Sequence, residues 1–294
     1  MKRFTEILLA SSLLLGGLGT VAAQDKSEGA KGPPKVLVTF REFLKPGKMG
    51  MSHEKTESTF VQAYARAKWP THYFAADSLS GKPRSLFFVG YDSFEAWEKD
   101  SLATQKNAAL AAALDHAGVV DGELLSDADA GVFRYSEEYS LRPPGDIAHM
   151  RYFEISVFHV RPGHRKEWDE GVKLVMAAYA KIPDVHWATY EAVYGSDGGT
   201  YVFFTPMKSL AEIDRGFAQD KQFMANMGED GMKKLSELEA AAVSSSQRNL
   251  FQFNPRMSYV WDEWVKADPD FWKPKPAGAP AEAKKSKEKA KAKP

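Results

Sequence analysis

The chain has 294 residues, of which 44% are hydrophobic and 12% are aromatic, and it contains no cysteine. This composition supports a large packed core, and the absence of cysteine excludes disulfides, thiolate metal sites and a cysteine nucleophile. The net charge of zero hides a segregation of charge, because residues 273–294 carry eight Lys against two Glu, a net of +6, and residues 24–272 carry −7.

The N-terminal segment has the pattern of a secretory signal peptide. Lys2 and Arg3 precede an apolar run from Ile7 to Ala23, which ends in small residues and is shorter than the ~20 residues of a membrane span. We therefore predict a signal peptide over residues 1–23 and a linker over 24–34. The mature protein is expected to be periplasmic or secreted and to have no transmembrane segment.

Residues 35–142 and residues 149–262 each predict the same order of elements, βαββαβ. The strands of the first copy are predicted at Val36–Leu44, Thr71–Ser78, Ser85–Gly90 and Val132–Ser136. Those of the second copy are predicted at Tyr152–Val160, Val185–Tyr194, Tyr201–Thr205 and Leu250–Asn254. The second helix of each copy should begin after an N-cap serine, Ser93 or Ser209, and Glu212 would complete a capping box with Ser209.

Short segments recur in the same order in both copies. The clearest pairs are Lys45-Pro46-Gly47 with Arg161-Pro162-Gly163, Ala63-Tyr64-Ala65 with Ala178-Tyr179-Ala180, and His72-Tyr73 with His186-Trp187. This recurrence indicates a tandem duplication of one ferredoxin-like unit. Such a unit leaves one sheet face bare, so we expect an α+β fold in which two ferredoxin-like repeats pack sheet against sheet as a pseudo-dimeric α/β barrel.

Two segments of the second copy resemble a known superfamily. YFEISVFHVRPGHRKEW (152–168) and VFFTPMKSLAEIDR (202–215) are similar to NIPSNAP-like and antibiotic-biosynthesis-monooxygenase-like members of the dimeric α/β-barrel superfamily. The first copy resembles a diverged version of the same unit. The resemblance implies the barrel fold, and because the superfamily contains cofactor-free oxygenases, haem enzymes, isomerase-like enzymes and proteins with no known activity, it leaves the reaction open.

The two copies differ on the first helix, where a site can arise. In the second copy Trp168 and Val172 take core-facing positions, and the matching residues of the first copy are His53 and Glu57. Residues four apart meet on one helix face, and a carboxylate beside an imidazole can support general base catalysis. The alternative is that His53 lies in solvent at the barrel rim.

His72 and His186 begin the second strand of each copy, and they could approach one cavity from symmetry-related positions. We list both as candidate catalytic residues, with a structural role bonded to backbone carbonyls as the alternative. Phe74, Tyr190 and Tyr64 are the predicted ligand contacts. A metal held by two histidines and a carboxylate, or copper at Met49, Met51 and His53, is an alternative, but we assign no metal and no cofactor.

We expect the protein to bind a small apolar or aromatic molecule in the barrel. The alternative is a cofactor-free oxygenase- or isomerase-like enzyme that uses His53 and Glu57. The Lys/Ala/Pro-rich tail over 273–294 is expected to be disordered and to make at most a weak contact with an anionic surface, with surface attachment as a third possibility for the whole protein. The tail has no aromatic residue to stack on a base, so we predict no nucleic-acid partner.

Overall fold

A computed structural model describes residues 32–273. The predicted signal peptide and all but the first residue of the predicted tail lie outside the described residues. The strands are β1 (Val36–Leu44), β2 (Tyr73–Ser78), β3 (Arg84–Tyr91), β4 (Leu125–Leu141), β5 (Tyr152–Val160), β6 (Trp187–Tyr194), β7 (Thr200–Met207) and β8 (Val243–Tyr259). The helices are α1 (Met51–Ala67), α2 (Phe94–Lys106), α3 (Ala108–Gly122), α4 (Arg165–Tyr179), α5 (Ala211–Ala242), α6 (Asp262–Ala267) and α7 (Pro269–Trp272).

The eight strands form one closed antiparallel barrel in the order β1-β3-β2-β8-β5-β7-β6-β4. We call β1–β4 with α1–α3 the first half, and β5–β8 with α4 and α5 the second half. In the first half the sheet order is β4-β1-β3-β2, and in the second it is β8-β5-β7-β6, so both halves place their strands alike. The β2–β8 and β4–β6 pairings join the halves. An α+β fold with a closed antiparallel barrel was predicted, and it is confirmed.

The barrel interior is filled with side chains from every strand. Alternate residues point inward, as the period of two in a strand requires. Phenylalanines dominate, and their rings pack at 4.7 Å for Phe153 and Phe253 and at 5.0 Å for Phe74 and Phe88. The buried members are Leu37, Ala76, Leu86, Phe88, Phe133, Met150, Phe153, Ile155, Tyr190, Val202, Phe204, Phe251, Phe253 and Trp272.

The segment after β8 belongs to this core, which sequence reasoning missed. Trp272 is 4% exposed, and its indole N–H donates to the Ala148 carbonyl at 2.8 Å. Trp264 and Phe271 pack against the same core, and the Arg151 guanidinium lies 3.9 Å from the Phe271 ring centre. The aromatic cluster between 261 and 272 was the sequence signal for this additional packing layer.

The helices cover the outside of the barrel, with α1 against α3 and α4 against α5. Ser93 caps α2 as predicted, since its hydroxyl accepts from the Ala96 N–H at 3.1 Å. The predicted capping box at Ser209 is wrong, because α5 has no side-chain cap and Glu212 accepts instead from the Lys208 N–H at 2.8 Å. Helix α5 bends at Gly228, whose φ of 68° suits glycine. Within residues 32–273, no helix combines the length and apolarity needed to cross a membrane.

Candidate functional sites

A cluster of buried polar side chains lies between the outer face of the first-half sheet and helices α1 and α3. His53 and Glu57, on α1, are 1% and 3% exposed, so both take core-facing positions as their match with Trp168 and Val172 indicated. The alternative in which His53 lies in solvent is wrong. Glu42 from β1 and Asp121 from α3 complete the group, which we call the acidic cluster.

His53 contacts Glu42 and Asp121 through Nε2. This atom lies 3.0 Å from Glu42 Oε2 and 3.4 Å from Asp121 Oδ1. Burial of the ring opposes its protonation, but the hydrogen bonds to Asp121 and Glu42 and their negative charges outweigh burial and raise the pKa of His53 to about 9. The predicted pairing of His53 with Glu57 is replaced by these two contacts, which come from β1 and α3.

Glu57 is the unsatisfied member of the cluster. Its Oε1 is buried and has no hydrogen-bond partner. Burial, followed by the charges of Glu42, Asp121 and Asp77, raises the pKa of Glu57 well above its ordinary value. Burial also raises the pKa of Glu42, with Asp121 adding to the effect and the His53 hydrogen bond opposing it. Three carboxyl groups therefore share a space with one imidazole, and neutralising them requires protons or a cation.

Hydrogen bonds to neighbouring polar groups hold His53 and Asp121 of the cluster in place. His53 Nδ1 lies 3.3 Å from Ser85 Oγ, and the Ser85 hydroxyl donates to Asp77. Asn254 of β8 donates to Asp77 Oδ2 at 2.7 Å, so the last strand also contributes. The Thr56 hydroxyl donates to Asp121 Oδ1. These contacts hold the imidazole with Nε2 facing the carboxylates.

Sequence reasoning missed Glu42 and Asp121. Val36, Val38 and Glu42 share the outward face of β1, so an acid on a face whose first members are buried valines was the available signal. Nothing comparable marked Asp121, because α3 is rich in alanine and its contact with α1 depends on tertiary packing.

The structure does not bring His72 and His186 together. They precede β2 and β6, which lie four strands apart in either direction around the eight-stranded barrel. His72 Nδ1 is 2.8 Å from the Pro70 carbonyl, and the ring stacks on Tyr259 at 4.6 Å. His186 contacts the carbonyls of Asp184 and Pro206 at 2.9 and 2.8 Å. Both rings therefore contact backbone oxygen atoms, and His186 also borders a cavity.

The predicted ligand contacts do not share one site. Phe74 and Tyr190 lie in the packed barrel interior, where the Tyr190 hydroxyl donates to the Pro34 carbonyl at 3.1 Å. Tyr64 lies outside the barrel on α1, stacked on Tyr259 at 5.8 Å. These three residues therefore help to pack the protein in two different places.

A cavity of about 530 Å³ opens instead in the second half, between α4, α5 and the outer sheet face. We call it the aromatic pocket. Its aromatic wall consists of Phe158, Trp168, Tyr179, Trp187, Phe203 and Phe223. Tyr179 of α4 stacks on Phe223 of α5 at 4.4 Å, which fixes the two helices over the sheet. The volume lies within the range of about 300–1,000 Å³ typical of small-molecule sites.

The aromatic pocket is also lined by polar residues, among which carboxyl groups outnumber arginines. Trp168 is 6% exposed, and its indole N–H is buried without a hydrogen-bond partner. Six carboxyl residues line the pocket against two arginines: Glu154, Glu167, Asp184, Glu212, Asp220 and Glu239, with Arg215 and Arg248. Burial raises the pKa of Glu239. The pocket thus combines an aromatic wall, a buried indole N–H without a partner and an excess of carboxyl groups.

The acidic cluster and the aromatic pocket occupy matching places in the two halves. Glu42 pairs with Ser85 between β1 and β3, and Phe158 pairs with Tyr201 between β5 and β7 in the corresponding register. Trp168 stacks on Tyr201 at 5.0 Å, where His53 contacts Ser85 in the first half. One half therefore holds charges in the layer between helices and sheet, and the other holds aromatic rings.

No protein-family model matches this chain, and no curated protein sequence matches it. Among solved structures, it is similar to a proposed monooxygenase from Fusobacterium nucleatum (13% identity, 75% of this chain and 93% of that chain, TM-score 0.48). It is also similar to an anthrone oxidase-like protein (16% identity, 75% of this chain and 92% of that chain, TM-score 0.49). A third is a mutant chlorite dismutase from Candidatus Nitrospira defluvii (11%, 80% and 95%, TM-score 0.43). The chemistry of this chain must be argued from its own residues.

Proposed function

We propose that the protein binds a small aromatic molecule in the aromatic pocket of the second half. The observation that carries this proposal is the aromatic wall of a cavity of about 530 Å³, within which the Trp168 N–H is buried without a protein partner. A buried donor without a partner costs free energy, and a ligand acceptor atom would recover it once a small turn of the indole brings the N–H to the cavity. The predicted ligand site moves from the barrel interior, which is filled, to this pocket.

The charged residues that line the pocket determine which aromatic ligands it favours. Six carboxyl residues against two arginines favour a neutral or cationic molecule over an anion. The ligand class is therefore a neutral or cationic aromatic compound that carries one hydrogen-bond acceptor.

Fluorescent probes test this directly. We expect neutral N-phenyl-1-naphthylamine to bind the full chain saturably, and anionic 1-anilinonaphthalene-8-sulfonate to bind more weakly. Gly216 lines the pocket, and a Cβ there would meet no atom within 4 Å, so Gly216→Trp can place an indole in the cavity. Gly118→Trp is the matched control, because Gly118 is also a helical glycine with open space around it and lies on α3.

Gly216→Trp should lose binding of the neutral probe, while Gly118→Trp should retain it. Equal binding by wild type and Gly216→Trp would refute the pocket as the site. Loss in both variants would show that the probe reports general loosening, which would also count against the proposal.

We also propose that the chain arose by tandem duplication of a ferredoxin-like unit of the NIPSNAP-like kind and that it is exported. The matched strand orders and the recurring sequence segments support duplication. The pattern of residues 1–23 supports export. Fractionation of cells that express the full chain, with N-terminal sequencing of the mature protein, tests both export and cleavage after Ala23.

The enzyme hypothesis based on His53 and Glu57 has less support. The His53 side chain is 1% exposed, and both ring nitrogens already contact protein groups. A general base must reach the proton that it removes from a substrate, and the enclosed ring leaves no space for one. The cluster is better suited to holding a small ion.

A further inference from the structure

We propose that Glu42, His53, Glu57 and Asp121 bind one divalent transition-metal ion. The acidic cluster lies in the first half, apart from the aromatic pocket, and this inference does not depend on the function proposed for that pocket.

The four side chains already converge. One donor atom from each lies within 4.8 Å of the others. This spread is close to twice a metal–oxygen bond length of ~2.2 Å, so small side-chain movements would close the shell around an ion. The donors come from β1, α1 and α3, which are packed elements of the fold.

The charge and hydrogen bonding of the cluster are incomplete without a cation. Three carboxyl groups surround one imidazole, and within residues 32–273 no Lys or Arg forms an ion pair with any of them. Glu57 is 97% buried, as its 3% exposure indicates, and its Oε1 has no partner. An ion at the centre would supply both the missing charge and the missing contact.

The surroundings of His53 match those of a metal-bound histidine. Nε2 faces Glu42 and Asp121, while Nδ1 faces the Ser85 hydroxyl, which is itself bonded to Asp77. Metal-binding histidines usually contact a carboxylate, carbonyl or water through the other ring nitrogen, which fixes the ring orientation. Here a hydroxyl linked to a carboxylate takes that place.

The donor set indicates which ions bind. Mg²⁺ and Ca²⁺ prefer shells made of oxygen alone, whereas an imidazole nitrogen suits first-row transition metals. Three carboxylates with one imidazole therefore favour Zn²⁺ or Mn²⁺ over Mg²⁺ and Ca²⁺.

Metal binding by the full chain tests the proposal. After treatment with a chelator and dialysis, we expect isothermal titration with Zn²⁺ or Mn²⁺ alone to give one ion per chain, and elemental analysis to confirm that ratio. Glu57→Gln keeps the shape of the side chain and should weaken binding by about tenfold or more, judged from losses caused by even outer-shell changes. Glu191→Gln, a partly buried carboxylate of the second half, should bind like wild type.

Thermal unfolding provides a second measurement, which does not depend on the heat released or absorbed when the metal binds. The metal should raise the unfolding temperature of wild type and of Glu191→Gln, and it should raise that of Glu57→Gln much less. Absence of saturable binding to the stripped wild type would overturn the proposal. Unchanged binding by both Glu57→Gln and Asp121→Asn would also overturn it, because the ion would then lie elsewhere. Equal affinity for Ca²⁺ would overturn the assignment to a transition metal.

Discussion

Arg134 of the first half donates to Glu191 Oε2 of the second half at 2.9 Å, across the β4–β6 seam of the barrel. Arg165 of α4 donates to the other oxygen of Glu191 at 2.8 Å. Burial raises the pKa of Glu191, but the hydrogen bonds and charges of the two arginines outweigh it, so the pKa lies below its ordinary value of 4.5. One carboxylate thus ties two halves of the barrel and a covering helix together.

Acid should weaken the ion pairs of Glu191 with Arg134 and Arg165. Because the folded pKa is depressed, the contribution of Glu191 to stability is fully present above pH 4.5 and is lost as the pH falls through the lower folded value. At neutral pH we expect Glu191→Gln to cost about 1 kcal/mol, since the site is only partly buried. Urea unfolding of both proteins at several pH values measures the difference. A gap that widens below pH 4.5 would contradict the assignment.

Removing charge from the acidic cluster should stabilise the metal-free protein. In Glu57→Gln, a neutral amide replaces an acid whose pKa is raised by burial and by the neighbouring carboxyl groups, so folding at neutral pH no longer opposes its ionisation, and we expect the free energy of unfolding to rise by about 1 kcal/mol. Denaturant unfolding in the presence of a chelator measures this change. Glu54→Gln is the matched control on the same helix, because Glu54 pairs with Arg256 at 3.0 Å and should lose stability instead. A loss of stability in Glu57→Gln would argue against unbalanced negative charge.

Trp168→Phe separates hydrogen bonding from packing in the aromatic pocket. The substitution keeps an aromatic ring beside Phe158 and Phe203 but removes the unpartnered N–H. For an aromatic ligand with an acceptor atom we expect a loss of about 1 kcal/mol, or about fivefold in affinity. For a pure hydrocarbon such as naphthalene the affinity should hardly change. Equal losses for both ligands would indicate that only the shape of the wall matters.

Trp272→Ala should destabilise the fold strongly. The side chain is 4% exposed in the barrel core and packs 5.2 Å from the Trp264 ring, so we expect a loss of about 3–5 kcal/mol. Guanidinium unfolding gives the value. Val119→Ala, at a position 66% exposed on α3, is the control and should lie within about 0.5 kcal/mol of wild type. A small loss at Trp272 would mean that α7 adds little to the core.

The sequence predicted the elements best where local pattern and packing agree. The bounds of β1 and β5 match the prediction, because each is a run rich in β-branched and aromatic residues that a Pro-Gly turn follows. Strands β4 and β8 are 17 residues each, far longer than the predicted Val132–Ser136 and Leu250–Asn254. The added first part of β8, residues 244–248, is polar, and its pairing with β5 makes it strand.

The candidate sites were predictable only in part, for a related reason. His53 and Glu57 stood out because they replace a buried tryptophan and a buried valine on one helix face. Glu42 and Asp121 approach them through the packing of β1 and α3 against α1, and no spacing in the chain encodes that approach. The aromatic pocket likewise depends on how α5 crosses α4, which the bend at Gly228 influences.

Strand β8 is the last strand within residues 32–273 and pairs with both β2 and β5. Until residues 243–259 have been made, the hydrogen-bonding edges of β2 and β5 have no neighbour, and the phenylalanines of the interior lack one wall. Exposed edges of this kind promote aggregation. Completion of the fold must therefore wait until β8 has been made, and a nascent chain cut before Val243 should need a chaperone to stay soluble.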